Sequence, residues 1–148
     1  MKLNVASGFN HMKDYINIDR DPRTRPDIVR NIERGLPFSD NTVDEIFSRH
    51  TLEHIDPEYI HFVMFEMWRV LKPGGRLKVI VPINKGWLSS PEHKCPFGET
   101  SVIFFTDWNS REPYQFKLIS NKTLFIDKDV PQTEELHFEL EAIKNNGK

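Results

Sequence analysis

This sequence has a single cysteine, no long apolar run and no large excess of either charge, and each of these features excludes a class of protein. Cys95 is the single cysteine in 148 residues, so the chain has no intramolecular disulfide. The first residues lack the apolar stretch of a signal peptide, and no segment approaches the roughly 20 apolar residues that cross a bilayer. We therefore expect a cytoplasmic protein that has no membrane partner.

The charge of the chain is nearly balanced, with 20 basic and 22 acidic residues and a formal net charge of −2. Such a balance creates no overall field that would attract nucleic acid, so nucleic acid is not implied as a partner. The length is sufficient for one domain with a buried core and too short for two. We expect a single domain, residues 1–148.

The central stretch Val43 to Pro82 predicts a strand, a helix and a second strand. Apolar residues recur at three- and four-residue spacing from Pro57 to Leu71, after an Asp-Pro pair that is typical of a helix start. Lys72 to Gly75 ends the helix, and Leu77 to Pro82 is rich in β-branched residues. Such a unit belongs to a largely parallel sheet, where ligands bind at the carboxyl ends of the strands. The loop after Ser48 is therefore expected to carry function.

Two earlier strands are predicted at Lys2–Ala6 and Tyr15–Ile18. Gly8 follows the first, where the backbone can approach a ligand closely, and Asp19 follows the second. A carboxylate in that place can accept hydrogen bonds from both hydroxyls of a ribose. The spacing between Gly8 and Asp19 is much shorter than the roughly 20 residues of a dinucleotide-binding fingerprint. The first crossover helix is therefore expected to be short or missing.

The chain beyond Pro82 has weaker patterns. Lys85 to Gly98 contains prolines and glycines and predicts a long loop that acts as a lid, and Ser101 to Phe105 fits a strand or a buried turn. Gln115–Ile119 and Thr123–Ile126 predict a hairpin. Leu136 to Ala142 alternates apolar with polar residues, which favours an antiparallel strand, although a helix remains an alternative.

Five short motifs, taken in order, resemble those of the small class I S-adenosylmethionine-dependent methyltransferases. The resemblance covers roughly Leu3 to Pro82 and implies a Rossmann-like α/β fold, with a mostly parallel sheet, helices on both faces and an antiparallel C-terminal edge. It divides the domain into a cofactor-binding half, residues 1–82, and a lid with C-terminal strands, residues 83–148. The motifs are Leu3-Asn4-Val5-Ala6-Ser7-Gly8, Tyr15-Ile16-Asn17-Ile18-Asp19, Leu36-Pro37-Phe38-Ser39-Asp40-Asn41, His50-Thr51-Leu52-Glu53-His54-Ile55 and Arg69-Val70-Leu71-Lys72-Pro73-Gly74-Gly75.

The same resemblance implies S-adenosylmethionine as the cofactor and assigns residues to its parts. The first-strand motif would line the methionine part, Asp19 would hold the ribose, and residues 31 and 32 would flank the adenine. Two positions depart from the family, which usually has Gly at Ala6 and Asp at Asn31. An alanine fits there if its backbone is not at positive φ, and an amide oxygen can still accept from the adenine amino group. The implied cofactor-binding residues are Ala6, Ser7, Gly8, Asp19, Asn31, Ile32 and His50.

The implied reaction moves a methyl group to an acceptor that the sequence does not identify, whether a small molecule, a sugar, a protein or RNA. The methyl of a sulfonium is already activated, so the protein must mainly align the acceptor, and a base is needed only if the acceptor loses a proton. His50 is the first candidate base, and His93 in the expected lid is the second. Each has the alternative of packing beside the cofactor without a chemical role.

Two other functions are compatible with parts of the sequence. His50-Thr51-Leu52-Glu53-His54 matches the H-x-x-E-H pattern of a class of zinc metallopeptidases, which requires both histidines on one helical face. Here the pattern follows a strand directly and runs into Asp56-Pro57, so we assign no metal ligand and place this function last. The altered glycine motif and the short first crossover favour instead a non-catalytic cofactor-binding or partner subunit of the same fold.

Phe62 and Phe65 fall on the side of the predicted helix opposite to its apolar stripe. Two exposed aromatics would form a patch typical of contact sites, which predicts a homodimer or a protein partner. The alternative is that Val102 to Phe105 folds over them.

Overall fold

A single mixed sheet forms the centre of the fold in the computed structural model, which describes residues 1–106, 112–125 and 134–144. Its strands are β1 Lys2–Val5, β2 Ile16–Asp19, β3 Ile28–Val29, β4 Val43–Arg49, β5 Leu71–Pro82, β6 Gln115–Phe125 and β7 Glu134–Ile143. In space they follow the order β3-β2-β1-β4-β5-β7-β6. Strands β1 to β5 run parallel, and β7 runs antiparallel to both of its neighbours. The predicted Rossmann-like α/β fold is thereby confirmed.

The helices of the described residues are one long helix, one short helix and four 3₁₀ turns. Residues 6–15, between β1 and β2, contain no helix, which confirms that the first crossover helix is missing. None of the helices in the described ranges is long and apolar enough to cross a membrane. The α-helices are α1 Ile60–Val70 and α2 Asn84–Leu88, and the 3₁₀ turns are Pro22–Thr24, Ile32–Arg34, Leu52–His54 and Ser101–Phe105.

Helix α1 buries the apolar stripe that the sequence predicts, but it begins three residues later than expected. The amide of Tyr59 donates to the carbonyl of Asp56, so Asp56-Pro57 forms a separate turn in front of the helix. At the other end, Leu71 leads directly into β5, and Lys72 to Gly75 bulges out where the pairing of β4 with β5 shifts register. The buried residues of α1 include Ile60, Val63, Met64, Met67 and Val70.

The predicted hairpin between Gln115 and Ile126 is wrong. Residues Gln115–Phe125 form one strand, which stays paired with β7 through a register shift between Leu118 and Ser120. The polar residues that suggested a turn are tolerated because β6 is the outermost strand and exposes much of its surface. Ile126, the predicted end of the hairpin, lies outside the described residues. The helix alternative for Leu136 to Ala142 is also wrong, because β7 covers that segment.

The segment from Lys85 to Gly98 is only partly the loop that the sequence predicts. The first residues of this segment belong to helix α2, and the irregular stretch that follows packs against the loop after β4. The amides of Lys94 and Cys95 donate to the carbonyl of Glu53, at 2.7 and 3.0 Å. These bonds hold the segment beside the carboxyl ends of the strands. A strand or a buried turn was expected at Ser101–Phe105, and the segment forms a 3₁₀ turn.

The aromatic pair on α1 is divided between the surface and the core. Phe62 is 42% exposed, whereas Phe65 is partly buried and lies 6.0 Å from the ring of Trp68, measured between ring centroids. Phe105 lies instead against His61, one residue before Phe62. The predicted patch is therefore reduced to Phe62, and a partner there stays a prediction.

Candidate functional site

The carboxyl ends of β2, β1 and β4 lie side by side in the sheet, and two clefts open beside them. The smaller cleft has a volume of about 270 Å³ and is lined by Asp19 at the end of β2 and by residues 30–33. The larger one has a volume of about 590 Å³ and is lined by the loop after β1. Ala6 and His50 line both clefts, so the two volumes meet at these side chains.

The loop after β1 turns sharply because two of its residues have positive φ. Ala6 has a φ of +51° and Gly8 a φ of +52°. Only glycine adopts this conformation without strain, so the condition under which an alanine would fit at residue 6 is not met. The amide of Ser7, between them, donates to the carbonyl of Ile18 at 2.9 Å and ties the loop to β2. Ala6, Ser7 and Gly8 thus lie together, as the sequence predicts, and Ala6 is strained.

Asp19 lies at the wall of the smaller cleft and fastens two loops. One carboxylate oxygen accepts from the amide of Gly8 at 2.7 Å, and the other accepts from the amide of Asp21 at 2.8 Å. Each carboxylate oxygen has a second lone pair, so Asp19 can still accept a bond from a ligand hydroxyl. The bonds also give this residue a structural role that the sequence did not show.

Asn31 and Ile32 line the smaller cleft together with charged side chains from neighbouring turns. The side-chain oxygen of Asn31 accepts from the amide of Glu33 at 3.0 Å and so caps the 3₁₀ turn Ile32–Arg34. The oxygen that was expected to face an adenine amino group is therefore shared with this cap. Ile32 is buried and supplies an apolar part of the wall.

His50 follows β4 directly and lies between two carboxylates. Its backbone has a φ of +51°, and its amide donates to the carbonyl of Ile80 at 2.9 Å. The Nε2 atom lies 2.5 Å from Oε1 of Glu135, and the Nδ1 atom lies 3.7 Å from Oε1 of Glu53. The side chain is 42% exposed, so the ring is both positioned and accessible.

Glu135 is a site residue that the sequence analysis missed. The alternation in β7 assigns Glu135 to a solvated face, yet it is buried and its second oxygen accepts from His137 Nε2 at 2.9 Å. Its position follows from the sheet order, because Glu135 pairs with Pro82 at the end of β5, the strand next to β4. Only the alternating pattern of β7 pointed to this residue, and that pattern could not say which strand lies beside it.

Glu53 is a second residue that sequence reasoning did not assign to the site. Its side chain is fully buried, and no other described residue forms a hydrogen bond with either carboxylate oxygen. Burial raises the pKa of Glu53 to about 7; a bond from its own backbone amide opposes the rise, and the negative charge of Glu135 adds to it. The backbone carbonyl of Glu53 holds the segment after α2, as described above.

His93, the second candidate base, lies outside both clefts. Its Nδ1 atom is 2.6 Å from the carbonyl of Trp87, and its ring meets the ring of His54 edge to face, with centroids 5.0 Å apart. His54, by contrast, lines the smaller cleft. The structure therefore brings His50 to the clefts and places His93 behind His54.

The helix that an H-x-x-E-H peptidase requires is not formed. Leu52–His54 is a single 3₁₀ turn, and His50 precedes it in a left-handed conformation at the end of a strand. The two histidines of the pattern therefore do not share one helical face, and the metallopeptidase alternative has no structural basis here.

Comparison with known proteins agrees with this geometry. A family model described as a methyltransferase domain matches residues 7–79, about half of the chain. A demethylmenaquinone methyltransferase from Listeria monocytogenes serotype 4a (strain HCC23) is 33% identical over 91 residues. That match covers 55% of this chain and 37% of the relative, so the chain spans well under half of that protein.

Solved structures show the same fold over nearly the whole chain. An S-adenosylmethionine-dependent methyltransferase from Methanosarcina mazei superposes with a TM-score of 0.74 at 16% identity, covering 97% of this chain and 92% of the other. A 1,6-didemethyltoxoflavin-N1-methyltransferase from Burkholderia thailandensis, whose structure contains S-adenosylhomocysteine, has a TM-score of 0.67 at 10% identity. The superposition covers 97% of this chain and 71% of the Burkholderia thailandensis chain.

Proposed function

The chain belongs to the class I S-adenosylmethionine-dependent methyltransferases, and on that premise we propose that it transfers the methyl group of S-adenosylmethionine to an acceptor. The observation that carries this proposal is the meeting of two clefts at Ala6 and His50, beside the carboxyl ends of three parallel strands. Ligands of open α/β sheets bind at that edge. The combined volume of the clefts suits a cofactor with part of an acceptor.

The smaller cleft would hold the adenosine part of the cofactor. Asp19 would accept bonds from the ribose hydroxyls, and Asn31 and Ile32 would flank the adenine. The larger cleft would hold the methionine part against Ser7 and Gly8 and would admit the acceptor. The reacting methyl group would then lie where the clefts meet.

The cofactor supplies an activated methyl group, so the protein's main contribution is to align the acceptor about 3 Å away. Where the acceptor must lose a proton, we propose His50 as the base and Glu135 as the residue that positions it. A bond from Nε2–H to Glu135 leaves the lone pair of Nδ1 to take a proton. The anionic carboxylate would also stabilise the imidazolium that forms.

Calorimetric titration with S-adenosylmethionine tests the cofactor site. We expect Asp19→Ala to weaken binding by about 10- to 150-fold, because the loss of a charged acceptor corresponds to roughly 1.5–3 kcal/mol. Asp21→Ala is the matched control, since Asp21 is two residues away and its carboxylate instead accepts from Arg23. Equal affinities for wild type and Asp19→Ala would remove Asp19 from the site.

The non-catalytic subunit of the same fold remains a second candidate, supported by the strained Ala6 and the absence of a helix in residues 6–15. Cofactor binding without methyl transfer to any acceptor in a broad screen would favour it. The cytoplasmic location, the division at residue 82 and a lid function for residues 85–98 stay predictions from the sequence.

A further inference from the structure

We propose that Glu53, His54 and His93 form a binding site for a divalent transition-metal ion, with Zn²⁺ as the best match. One ligand atom from each of the three side chains lies within 4.8 Å of the others. Two imidazole nitrogens and one carboxylate oxygen form a ligand set that Zn²⁺ accepts. The set differs from the H-x-x-E-H pattern, because His50 is not part of it.

The carboxylate of Glu53 is the observation that points to a ligand. It is fully buried, and no other described residue donates a hydrogen bond to either oxygen. A buried carboxylate without donors is costly, and such groups in native proteins are normally paired or bound to a metal. A cation bound to one oxygen of Glu53 would compensate the buried charge.

The two histidines are held in a tautomer that leaves Nε2 available to a metal. Nδ1 of His54 lies 3.3 Å from the carbonyl of Glu92, and Nδ1 of His93 lies 2.6 Å from the carbonyl of Trp87. A carbonyl oxygen can only accept, so each Nδ1 carries the proton and each Nε2 keeps its lone pair. Metal-binding histidines are oriented by such bonds from the second ring nitrogen.

One distance in the cluster is already close to that around a bound ion. Nε2 of His54 is 3.8 Å from Oε1 of Glu53. Around a tetrahedral Zn²⁺ with bonds of about 2.0–2.1 Å, neighbouring ligand atoms are about 3.4 Å apart. All three ligand atoms lie within 4.8 Å of one another, so binding of an ion requires the two partly exposed imidazoles to move closer to Glu53.

The ion would connect two parts of the chain. Glu53 and His54 belong to the 3₁₀ turn after β4, and His93 belongs to the segment after α2. Two backbone bonds to the carbonyl of Glu53 already hold that segment. A bound ion would add a bond between side chains and fix the segment beside the smaller cleft, which is a structural role and does not depend on methyl transfer.

The test is a titration of the chelator-stripped full chain with Zn²⁺. We expect one equivalent per chain and a rise in the thermal midpoint of about 5–10 °C when free Zn²⁺ is 100-fold above its Kd. His54→Ala and His93→Ala should each weaken Zn²⁺ binding by more than about 100-fold. This loss exceeds the one expected for a residue that only hydrogen-bonds a metal ligand. His11→Ala is the matched control, because His11 is exposed and does not belong to the cluster. It should bind like wild type.

Absence of binding to wild type, binding that survives in both histidine variants, or equal loss in His11→Ala would overturn the proposal. Titration of wild type with Co²⁺ gives a readout that does not depend on the folding of any variant. We expect ligand-field absorption without a thiolate charge-transfer band. A thiolate band would place the ion on Cys95 and would contradict the proposed ligand set.

Discussion

At the scale of single residues, the two positions that border both clefts share an unusual backbone conformation. Ala6 and His50 each have a φ of +51°, which costs a residue other than glycine about 1–2 kcal/mol. Strain of this kind persists only where the surroundings hold it, and it is concentrated at functional sites. Here the sheet holds the strained backbone. The amide of Ser7, next to Ala6, donates to the carbonyl of Ile18, and the amide of His50 donates to the carbonyl of Ile80.

Replacing Ala6 by glycine should therefore stabilise the protein. We expect Ala6→Gly to raise the free energy of unfolding by about 0.5–1 kcal/mol, since relief of the strain exceeds the entropic cost of a glycine. Denaturant unfolding measures the change. Ala142→Gly is the control, because Ala142 lies buried in β7 and should lose stability. A loss of stability in Ala6→Gly as well would show that residue 6 is not strained.

The pairing of His50 with Glu135 predicts a separation of turnover from cofactor binding. With an acceptor found by screening, His50→Ala should lower kcat by about 10²- to 10⁴-fold and weaken the binding of S-adenosylmethionine much less. Glu135→Gln should also lower kcat, because the imidazolium that forms during proton transfer loses its anionic partner. His61→Ala, in neither cleft, is the control. A parallel loss of kcat and affinity in His50→Ala would assign it a packing role.

At the scale of elements, helix α1 is fastened to the turn before β4 by a group of charge-assisted hydrogen bonds. Glu66 accepts from the amide of Leu36 at 2.8 Å, and Arg69 donates to Glu66 and to the carbonyls of Leu36 and Phe38. Asp40 also pairs with Arg69. This turn leads into the central strand β4, so the group fixes the helix relative to the strand that ends at His50.

Removing Glu66 should leave its partners without an acceptor in a partly buried site. We expect Glu66→Ala to lower the free energy of unfolding by about 2–4 kcal/mol, because the Leu36 amide and Arg69 both lose an acceptor. Arg23→Ala, which removes an exposed pair with Asp21, should leave the free energy of unfolding nearly unchanged. Chemical denaturation of both variants measures the difference. Equal effects would mean that the buried group adds no more than a surface pair.

The same group gives a pH dependence with a definite sign. The Arg69 guanidinium lowers the pKa of Glu66 in the folded protein. The stabilisation is therefore complete above the unfolded pKa of roughly 4.3 and is lost as pH falls through the lower folded value. Thermal midpoints measured from pH 6 to pH 3 should fall less steeply in Glu66→Gln than in wild type. An unchanged slope would rule out this contribution.

At the scale of the whole molecule, one sheet carries both the clefts and the C-terminal strands. Because β7 inserts between β5 and β6, a residue near the start of the last strand reaches the histidine that follows β4. The segment after α2 reaches the same loop from another side, through Glu53 and His54. The site therefore combines parts of the chain that are far apart in sequence.

Of the two aromatic residues of α1, Phe62 is exposed and can contact a partner, whereas Phe65 is partly buried. Phe62→Glu should leave the stability of the isolated chain nearly unchanged and abolish any self-association, whereas Phe65→Glu should destabilise the fold because Phe65 packs beside Trp68. Sedimentation across micromolar concentrations, together with thermal unfolding, measures both effects. A wild-type chain that stays monomeric would leave a different protein as the partner of Phe62. A marked loss of stability in Phe62→Glu would show that it is a core residue.

Features that depend on neighbours along the chain could be predicted from the order of the amino acids. Periodicity identified the apolar stripe of α1 and the strand β7, and ordered short motifs identified the family. They also predicted Ala6, Asp19 and His50 as site residues, and these three side chains line one cleft. The local sequence pattern located the ends of helices less accurately. It placed the start of α1 at Pro57, because an Asp-Pro pair resembles a helix start whether it forms a cap or a separate turn.

Tertiary structure alone decided which distant residues meet. The polar residues of β6 resemble a turn, but pairing with β7 keeps them in one strand, because backbone hydrogen bonds along a neighbouring strand outweigh a local preference. Glu135 reaches His50 only because β7 lies beside β5, and His93 reaches Glu53 only because its segment folds over the loop after β4. Contacts of this kind depend on the order of strands in the sheet, and no pattern of neighbouring residues specifies that order.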